Sequence, residues 1–231
     1  MSKIILFNSP KNVGKSKAIE YLRDKGVSLI SAECKEPLHN LTMTLFGVKP
    51  ERYWEIYNTR ELKEVPLPEF TVKLTLRETS WLENLVGDLP DHSLLQYDPK
   101  YRGSIFKLSI REAMIYVSEV IVKSRFGEDW FGQARVRKMK GFDGYCPFPP
   151  IFCDDSCAFV DELHPLIKYL GQENILLLRI HRDGFTFEGD SRNYIPDGVI
   201  TNTVDVYNNG TEQEYFDKVY QEVTKWLNTS V

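Results

Sequence analysis

Residues 9–16, SPKNVGKS, combine glycine, lysine and hydroxyl side chains at a spacing that suits a chain of phosphates. The phosphate-loop pattern is G-x-x-x-x-G-K-[ST]; Gly14, Lys15 and Ser16 fill its last three positions, whereas Ser9 replaces its first glycine. In such a loop, backbone N–H groups at a helix start surround phosphate oxygens, the lysine neutralises the β- and γ-phosphates, and the hydroxyl ligates Mg²⁺. The predicted phosphate contacts are Asn12, Val13, Gly14, Lys15, Ser16 and Lys17.

The surroundings of this loop favour a true phosphate loop over a chance Gly-Lys-Ser at the start of a helix. An apolar strand-like run, residues 3–8, precedes the loop and a helical pattern, residues 15–23, follows it, which is the context that the motif requires. Ser9 fits if its φ is negative and is costly if a positive φ is required. The loop does not name the reaction, because GTPases, motors, transporters and small-molecule kinases all use one.

Arg111 is a candidate for binding a second phosphate. It lies near the start of a helix that Ser109 and Glu112 are predicted to cap in the sequence SIRE. A helix start and a guanidinium both favour an anion. A solvated surface arginine is the alternative.

The segment 179–198 carries Arg179, Arg182 and Arg192 with three glycines, and it follows a strand-like run. Cations on a movable flap suit phosphoryl transfer, because negative charge spreads over the equatorial oxygens in the transition state. Closure would also exclude water from the donor. We therefore predict an arginine-bearing lid over about residues 182–196, with an ordinary exposed loop as the alternative.

Two further segments are candidates for the same site. Asp154 and Asp155, in CDDS, follow an apolar strand-like run, and a carboxylate at the carboxyl end of a strand can hold Mg²⁺ or its waters. Asp154 is the better candidate, and a helix N-cap role for either aspartate is the alternative. Asn209 and Gly210, in the turn NNGT, can present backbone groups to an adenine, although an ordinary helix cap explains the turn equally well.

The elements that must hold these residues alternate between strands and helices. Strand-like runs occupy residues 3–8, 27–31, 150–153, 175–180 and 197–201, with helical patterns at 15–23, 36–46, 109–126 and after a second capping box at 211–214. Most of these runs are apolar throughout, as expected for strands covered by helices on both faces. They predict an α/β fold with a five-stranded, mainly parallel sheet flanked by helices.

Residues 48–103 fit this alternation poorly, being rich in charge, aromatic residues and proline. We interpret them as a largely helical insert on the acceptor side of one domain, whose core comprises residues 1–47 and 104–231. The aromatic side chains of the insert serve either base stacking or core packing; they are Tyr53, Trp54, Tyr57, Phe70 and Trp81.

The composition excludes some partners. A net charge of −4 over 231 residues and a pI near 5.7 provide no basic field for a polynucleotide, while a local cationic pocket still suits a single nucleotide. No apolar run reaches the length of a membrane span and no signal peptide is evident, so we expect a cytoplasmic protein. The four cysteines lack zinc spacing and are expected to be reduced buried thiols.

The order of these motifs resembles that of the deoxynucleoside monophosphate kinases of tailed bacteriophages, a branch of the phosphate-loop nucleoside monophosphate kinases. The likeness runs nearly from end to end. It consists of SPKNVGKS, EPLHNLTMTLFG (36–47), LSIREAM (108–114), FGEDWF (126–131), CDDSCAFVDE (153–162), the arginine segment and NNGTEQEYFDKV. The resemblance implies a phosphate-loop nucleoside triphosphatase (NTPase) fold and transfer of the ATP γ-phosphate, with Mg²⁺, to a 2′-deoxynucleoside 5′-monophosphate.

The resemblance also implies residue roles. Lys15 and Ser16 would serve ATP and Mg²⁺, and Asp154 the metal or acceptor side. Arg182 and Arg192 would act from the lid. The implied acceptor contacts are Arg111, Lys35, His39 and Ser156. The host cytoplasm is the expected location if a phage encodes the chain, and a homodimer is a default expectation.

Three positions depart from that family's pattern. Ser9 replaces the loop glycine, His39 stands where relatives often place a lysine, and Ser156 stands where some carry an arginine. His39 would make one phosphate contact pH-dependent, or it is a surface residue. The alternatives are a kinase of another small acceptor, of sugar-acid or dephospho-coenzyme A type, and a nucleotide-binding switch, although the chain lacks the NKxD that specifies guanine.

Overall fold

The computed structural model describes residues 2–86, 96–98, 103–188 and 192–229. The strands are β1 (Lys3–Asn8), β2 (Leu29–Ser31), β3 (Thr71–Thr75), β4 (Gln96–Asp98), β5 (Gly103–Lys107), β6 (Ile151–Asp154), β7 (Ile175–His181) and β8 (Asn202–Tyr207). The α-helices are α1 (Lys15–Asp24), α2 (Lys35–Phe46), α3 (Pro50–Asn58), α4 (Arg60–Lys63), α5 (Leu76–Val86), α6 (Ile110–Ile115), α7 (Ser124–Phe126), α8 (Trp130–Asp143), α9 (His164–Leu170) and α10 (Glu212–Thr229). Short 3-10 turns cover Pro68–Phe70, Asp161–Leu163 and Gln172–Asn174.

The chain divides into two compact units. The first comprises Met1–Lys35 and Phe131–Val231, and the second comprises Glu36–Trp130. The second unit contains the described part of the predicted insert together with α2 and α6, which we had assigned to the core. The predicted division into core, insert and lid stays a prediction.

The first unit is built on a five-stranded parallel sheet of order β2-β6-β1-β7-β8. Side chains of β1 alternate between its two faces: Ile5 and Phe7 join the cluster formed with α1 and α10, whereas Ile4 and Leu6 join the cluster formed with α8 and α9. Helices therefore cover both faces of the sheet, which confirms the predicted α/β class with a parallel sheet.

Four of the five predicted strands are confirmed as β1, β2, β6 and β7, but the fifth is wrong. The predicted run at 197–201 precedes the strand, which is Asn202–Tyr207. Ile200 is buried in the core without belonging to a strand. β8 pairs with β7 at an edge of the sheet, so it carries polar residues such as Asp205 and lacks the continuous apolar pattern of an inner strand.

The second unit contains a three-stranded antiparallel sheet of order β3-β5-β4. Helices α3, α4 and α5 lie within the predicted helical insert, but β3 and β4 were not predicted. Residues 71–75 expose most of their side chains and bury Leu74, so their pattern is too weak to indicate a strand before its partner is known. Residues 87–95 and 99–102 of the insert lie outside the described residues.

Both predicted capping boxes are confirmed. Ser109 Oγ accepts a hydrogen bond from the Glu112 amide, and the Glu112 carboxylate accepts one from the Ser109 amide. Thr211 and Glu214 do the same at the start of α10. The helix that begins at Ile110 passes through a π-helical stretch, Tyr116–Lys123, before it ends at Phe126.

Two sequence expectations concern burial. Cys34, Cys153 and Cys157 are free and buried, as expected, while Cys146 is half-buried. Among the described helices, none combines the length and the apolar content that a membrane crossing requires.

Candidate functional site

The loop between β1 and α1, residues Ser9–Gly14, lies at the carboxyl end of the middle strand of the parallel sheet. Asn12 and Gly14 have left-handed backbone conformations, with φ of 63° and 98°. Asn12 is the one non-glycine residue with positive φ in the described part of the chain, so Ser9 meets the condition under which a serine is tolerated. α1 begins directly after Gly14, and the amides of its first turn are those that a helix leaves unpaired.

Lys15 is half-buried, and its ammonium group lies against the loop. Lys15 Nζ donates to Ser9 Oγ at 2.8 Å, to the Ser9 carbonyl at 3.1 Å and to the Pro10 carbonyl at 3.1 Å. These acceptors are neutral oxygens. An ionised phosphate would make shorter and stronger hydrogen bonds with the ammonium than they do.

Asn208 and Tyr215 pack against the loop and were missed by the sequence reasoning. Asn208 Nδ2 donates to the Val13 carbonyl at 2.9 Å. A Cβ atom at Gly14 would lie 3.2 Å from Asn208 Nδ2 and 3.2 Å from Tyr215 Cε1, which is tight packing, and the positive φ strains any other residue there. The buried Tyr215 hydroxyl has no hydrogen-bond partner among the described residues, and burial raises its pKa.

The remaining residues predicted to contact ATP belong to the first turn of α1 and to the turn before α10. Ser16 and Lys17 are exposed in the first turn of α1, and Lys17 Nζ forms an ion pair with Glu212 at 2.6 Å. Asn209 Oδ1 accepts a hydrogen bond from the Asp183 amide at 2.9 Å, which joins the predicted adenine turn to the start of the predicted lid. Their contacts with ATP stay predictions.

Asp154, at the end of β6, has no exposed surface and is held by protein groups. Its Oδ2 accepts a hydrogen bond from Arg135 Nη1 at 2.6 Å, and its Oδ1 accepts bonds from the Ser156 amide and hydroxyl, both at 2.7 Å. No helix begins between Asp154 and the turn at Asp161, so the alternative of a helix N-cap is wrong. Ser156, predicted to bind the acceptor, orients this carboxylate.

Arg135 was not predicted, because α8 gives no local sign that one of its arginines is buried. Its side chain is 1% exposed, and Nη2 donates to the Glu162 carbonyl at 2.8 Å. Gly132, one turn earlier, lets the helix come this close: a Cβ there would lie 2.3 Å from the same carbonyl oxygen. Arg135 and Asp154 thus form a buried ion pair whose remaining hydrogen bonds go to Ser156 and to the Glu162 carbonyl.

Of the two predicted Mg²⁺ ligands, Ser16 is suited to bind the ion directly and Asp154 is not. The exposed Ser16 hydroxyl is free of steric cover, but Asp154 already accepts three hydrogen bonds and is fully buried, leaving about one lone pair of its carboxylate. Glu33 and Asp155 are the partly exposed carboxylates near it. Burial and the charge of Asp155 raise the pKa of Glu33. No group of three or more histidine, cysteine or acidic side chains in the described ranges is arranged to hold a metal.

Lys35 and Arg192, predicted from separate motifs, come within electrostatic range of each other. Burial, and next the charge of Arg192, lower the pKa of Lys35, while Asp155, Asp154 and Glu33 oppose that change. Lys35 therefore lies beside both a like charge and carboxylates of opposite charge.

Arg182 reaches the loop from the start of the predicted lid. Its Nη1 lies 3.5 Å from the Asn12 carbonyl, and its guanidinium lies over the Phe185 ring, 5.0 Å from the centroid. Arg179 has a different setting, since its side chain pairs with Asp205 at 2.6 Å and with Asp197 at 2.7 Å. Residues 189–191 of the predicted lid lie outside the described residues.

Arg111 and His39 belong to the second unit. Arg111 Nη1 forms an ion pair with Glu64 at 3.3 Å, and its side chain is 38% exposed. His39 is buried, which makes the alternative of a surface residue wrong. Its Nδ1 lies 2.7 Å from the Tyr53 hydroxyl, and its ring contacts Trp54 and Tyr57. These rings pack mainly against each other, and the acceptor roles of Arg111 and His39 stay predictions.

The first unit is therefore an α/β structure whose five-stranded parallel sheet, flanked by helices, is compatible with a phosphate-loop-like fold. No family model matches the chain, and no curated protein matches it either.

Proposed function

We propose that this protein is an ATP-dependent kinase that transfers the γ-phosphate to a 2′-deoxynucleoside 5′-monophosphate and releases the diphosphate and ADP. One observation carries the proposal: the loop after the middle strand combines a left-handed turn, the unpaired amides at the start of α1 and the Lys15 ammonium at one point. In an open α/β sheet, ligands bind outside the carboxyl ends of the strands, where this loop lies.

The donor half of the proposal uses the loop. The amides of the first turn of α1 and the helix dipole favour a triphosphate, and Lys15 would exchange the neutral oxygens of Ser9 and Pro10 for phosphate oxygens. Mg²⁺ would be held by Ser16, with Asp155 or Glu33 contributing through water, and would neutralise the phosphates. Asp154 would keep its pairing with Arg135 and orient the segment that carries Asp155.

The acceptor half uses cations outside the loop. Lys35 and Arg192 would contact the acceptor monophosphate, and Arg182 is close enough to the loop to stabilise charge on the transferred group. Arg111 is the predicted acceptor contact of the second unit. Phosphoryl transfer depends on positioning and on charge stabilisation more than on a strong base, so the proposal does not require a general base with a shifted pKa.

A coupled assay of ADP release tests the proposal. The purified chain is given ATP, Mg²⁺ and, one at a time, ribo- and deoxynucleoside monophosphates, with shikimate, gluconate and dephospho-coenzyme A as other acceptors. We expect release that depends on a deoxynucleoside monophosphate and stops in Lys15→Ala. Release with another acceptor alone would replace the proposal by a different kinase, and tight ATP binding with no release would replace it by a nucleotide-binding switch.

A further inference from the structure

Asn8, the last residue of β1, directly precedes the β1–α1 loop and has no exposed surface. We infer that Asn8 is a positioning residue that fixes the backbone beside Arg192 relative to that loop. The consequence for catalysis rests on the proposed function, whereas the anchoring itself does not.

The Asn8 side chain forms hydrogen bonds with backbone groups of two other segments. Nδ2 donates to the Cys157 carbonyl at 3.0 Å and to the Asn193 carbonyl at 3.1 Å, and Oδ1 accepts from the Ile195 amide at 2.8 Å. One side chain thus joins the end of β1 to the segment after β6 and to the return of the predicted lid. A buried amide with both donors and its acceptor engaged is a rigid link.

This link lies next to a charged site residue. Arg192 directly precedes Asn193, whose carbonyl is held by Asn8, and the amide two residues further on is held by the same side chain. The intervening Tyr194 is fixed from its own side, since its hydroxyl donates to the Ile180 carbonyl at 2.9 Å and its ring packs on His181. The backbone next to Arg192 is therefore hydrogen-bonded to the end of β1, the strand that leads into the loop before Lys15.

The chemistry of the link requires an asparagine. An aspartate would keep an acceptor for the Ile195 amide but place a carboxylate against two carbonyl oxygens, and an alanine would remove all three bonds and leave buried polar groups unpaired. Asn8 is uncharged and would not contact the reacting groups. Its effect must pass through the position of Arg192, so it should alter turnover more than ATP binding.

The first measurement is amide hydrogen exchange in the ligand-free protein. In Asn8→Ala we expect exchange at Ile195 to rise about ten- to a hundredfold, because an amide that loses its acceptor opens more readily. Asn8→Asp retains the acceptor and should show a smaller rise. The control is Asn174→Ala, which removes another buried asparagine, bonded to the Leu170 carbonyl at 2.8 Å, and should leave exchange at Ile195 unchanged.

The second measurement is steady-state kinetics of the same variants. A misplaced catalytic cation costs roughly ten- to a hundredfold, so kcat should fall by that factor in Asn8→Ala while the KM for ATP stays within about twofold. Asn174→Ala should lower the thermal midpoint without changing kcat.

The two measurements separate the two claims. Unchanged exchange at Ile195 in Asn8→Ala would overturn the anchoring, and faster exchange with unchanged kcat would overturn the positioning role. If the unmodified chain transfers no phosphate, the proposed function fails, yet the exchange result still decides whether Asn8 anchors the segment.

Discussion

Lys15, at the start of α1 after the β1 loop, and Asp154, at the end of β6, are both predicted site residues, and they are held in opposite ways. Lys15 is half-buried and bonded to neutral oxygens of its own loop. Asp154 is fully buried and bonded to a charged partner, Arg135, from another element. The hydrogen bonds of Lys15 to Ser9 and Pro10 can be exchanged for those of a ligand at little cost, whereas Asp154 cannot leave Arg135 without exposing a buried charge.

This difference indicates that a charged residue near the carboxyl end of a strand can have either of two roles: binding a ligand or holding the local backbone in place. Under the proposed function, the loop after β1 binds the ligand, since its hydrogen bonds to neutral oxygens are weak enough to be replaced. The end of β6 holds its own backbone and would act on a ligand through Asp155 and Ser156. Variants at the two ends should therefore fail in different assays.

The largest effect is expected where the buried pair is broken. Arg135→Met leaves the Asp154 carboxylate buried and unpaired, which should lower the free energy of unfolding by about 3–5 kcal/mol in urea. Arg137→Met, on an exposed position of the same helix, is the control and should change it by less than about 0.5 kcal/mol. A loss below about 1 kcal/mol in Arg135→Met would remove the contrast between the two strand ends.

Lys15→Ala should act on the reaction and spare the fold. We expect kcat to fall about 10²- to 10³-fold, as when one group that stabilises transition-state charge is removed. The urea midpoint should change little, because the hydrogen bonds lost at Ser9 and Pro10 end on neutral groups that water can serve. Lys25→Ala, at the exposed far end of α1, is the control for both measurements. Near-normal turnover in Lys15→Ala would end the assignment of the loop.

Arg111→Ala extends the comparison to the second unit. We expect the KM for the acceptor to rise about tenfold, the worth of one charge-assisted contact, with the KM for ATP unchanged. Arg52→Ala is the control, since Arg52 is also ion-paired with glutamates, Glu55 and Glu69, and its side chain is 39% exposed, against 38% for Arg111. Equal KM values for the acceptor in the two variants would remove Arg111 from the site.

The smallest effect is expected at Ser9, whose hydroxyl accepts from Lys15 at 2.8 Å. Ser9→Ala removes this competitor for the ammonium, so the KM for ATP should fall by about two- to fivefold, the worth of one neutral hydrogen bond. Ser9→Gly removes the same hydroxyl but adds backbone freedom, so its fall should be smaller. A rise in the KM for ATP in Ser9→Ala would mean that Ser9 assists binding.

Features with a local cause were predictable from the sequence. The start of α1 and both capping boxes depend on residues within a few positions of each other. The continuous apolar runs of β1 and β7 likewise indicate inner strands without reference to their partners.

Features that depend on distant partners were not predictable in the same way. Asp154 finds Arg135 across 19 positions, and Asn8 finds Ile195 across 187. β3 and β8 are strands because of the neighbours with which they pair, since their own side-chain patterns are mostly exposed or polar.

Gly132 has a consequence for how this protein can change over evolution. Its missing side chain brings a helix into direct backbone contact with the Glu162 carbonyl, the same oxygen that Arg135 reaches one turn later. Even a methyl group there would have to push the helix aside and withdraw the guanidinium from its carboxylate. Substitutions at position 132 are thus limited by the buried ion pair between Arg135 and Asp154, and the residues next to Gly132 in the sequence give no sign of this limit.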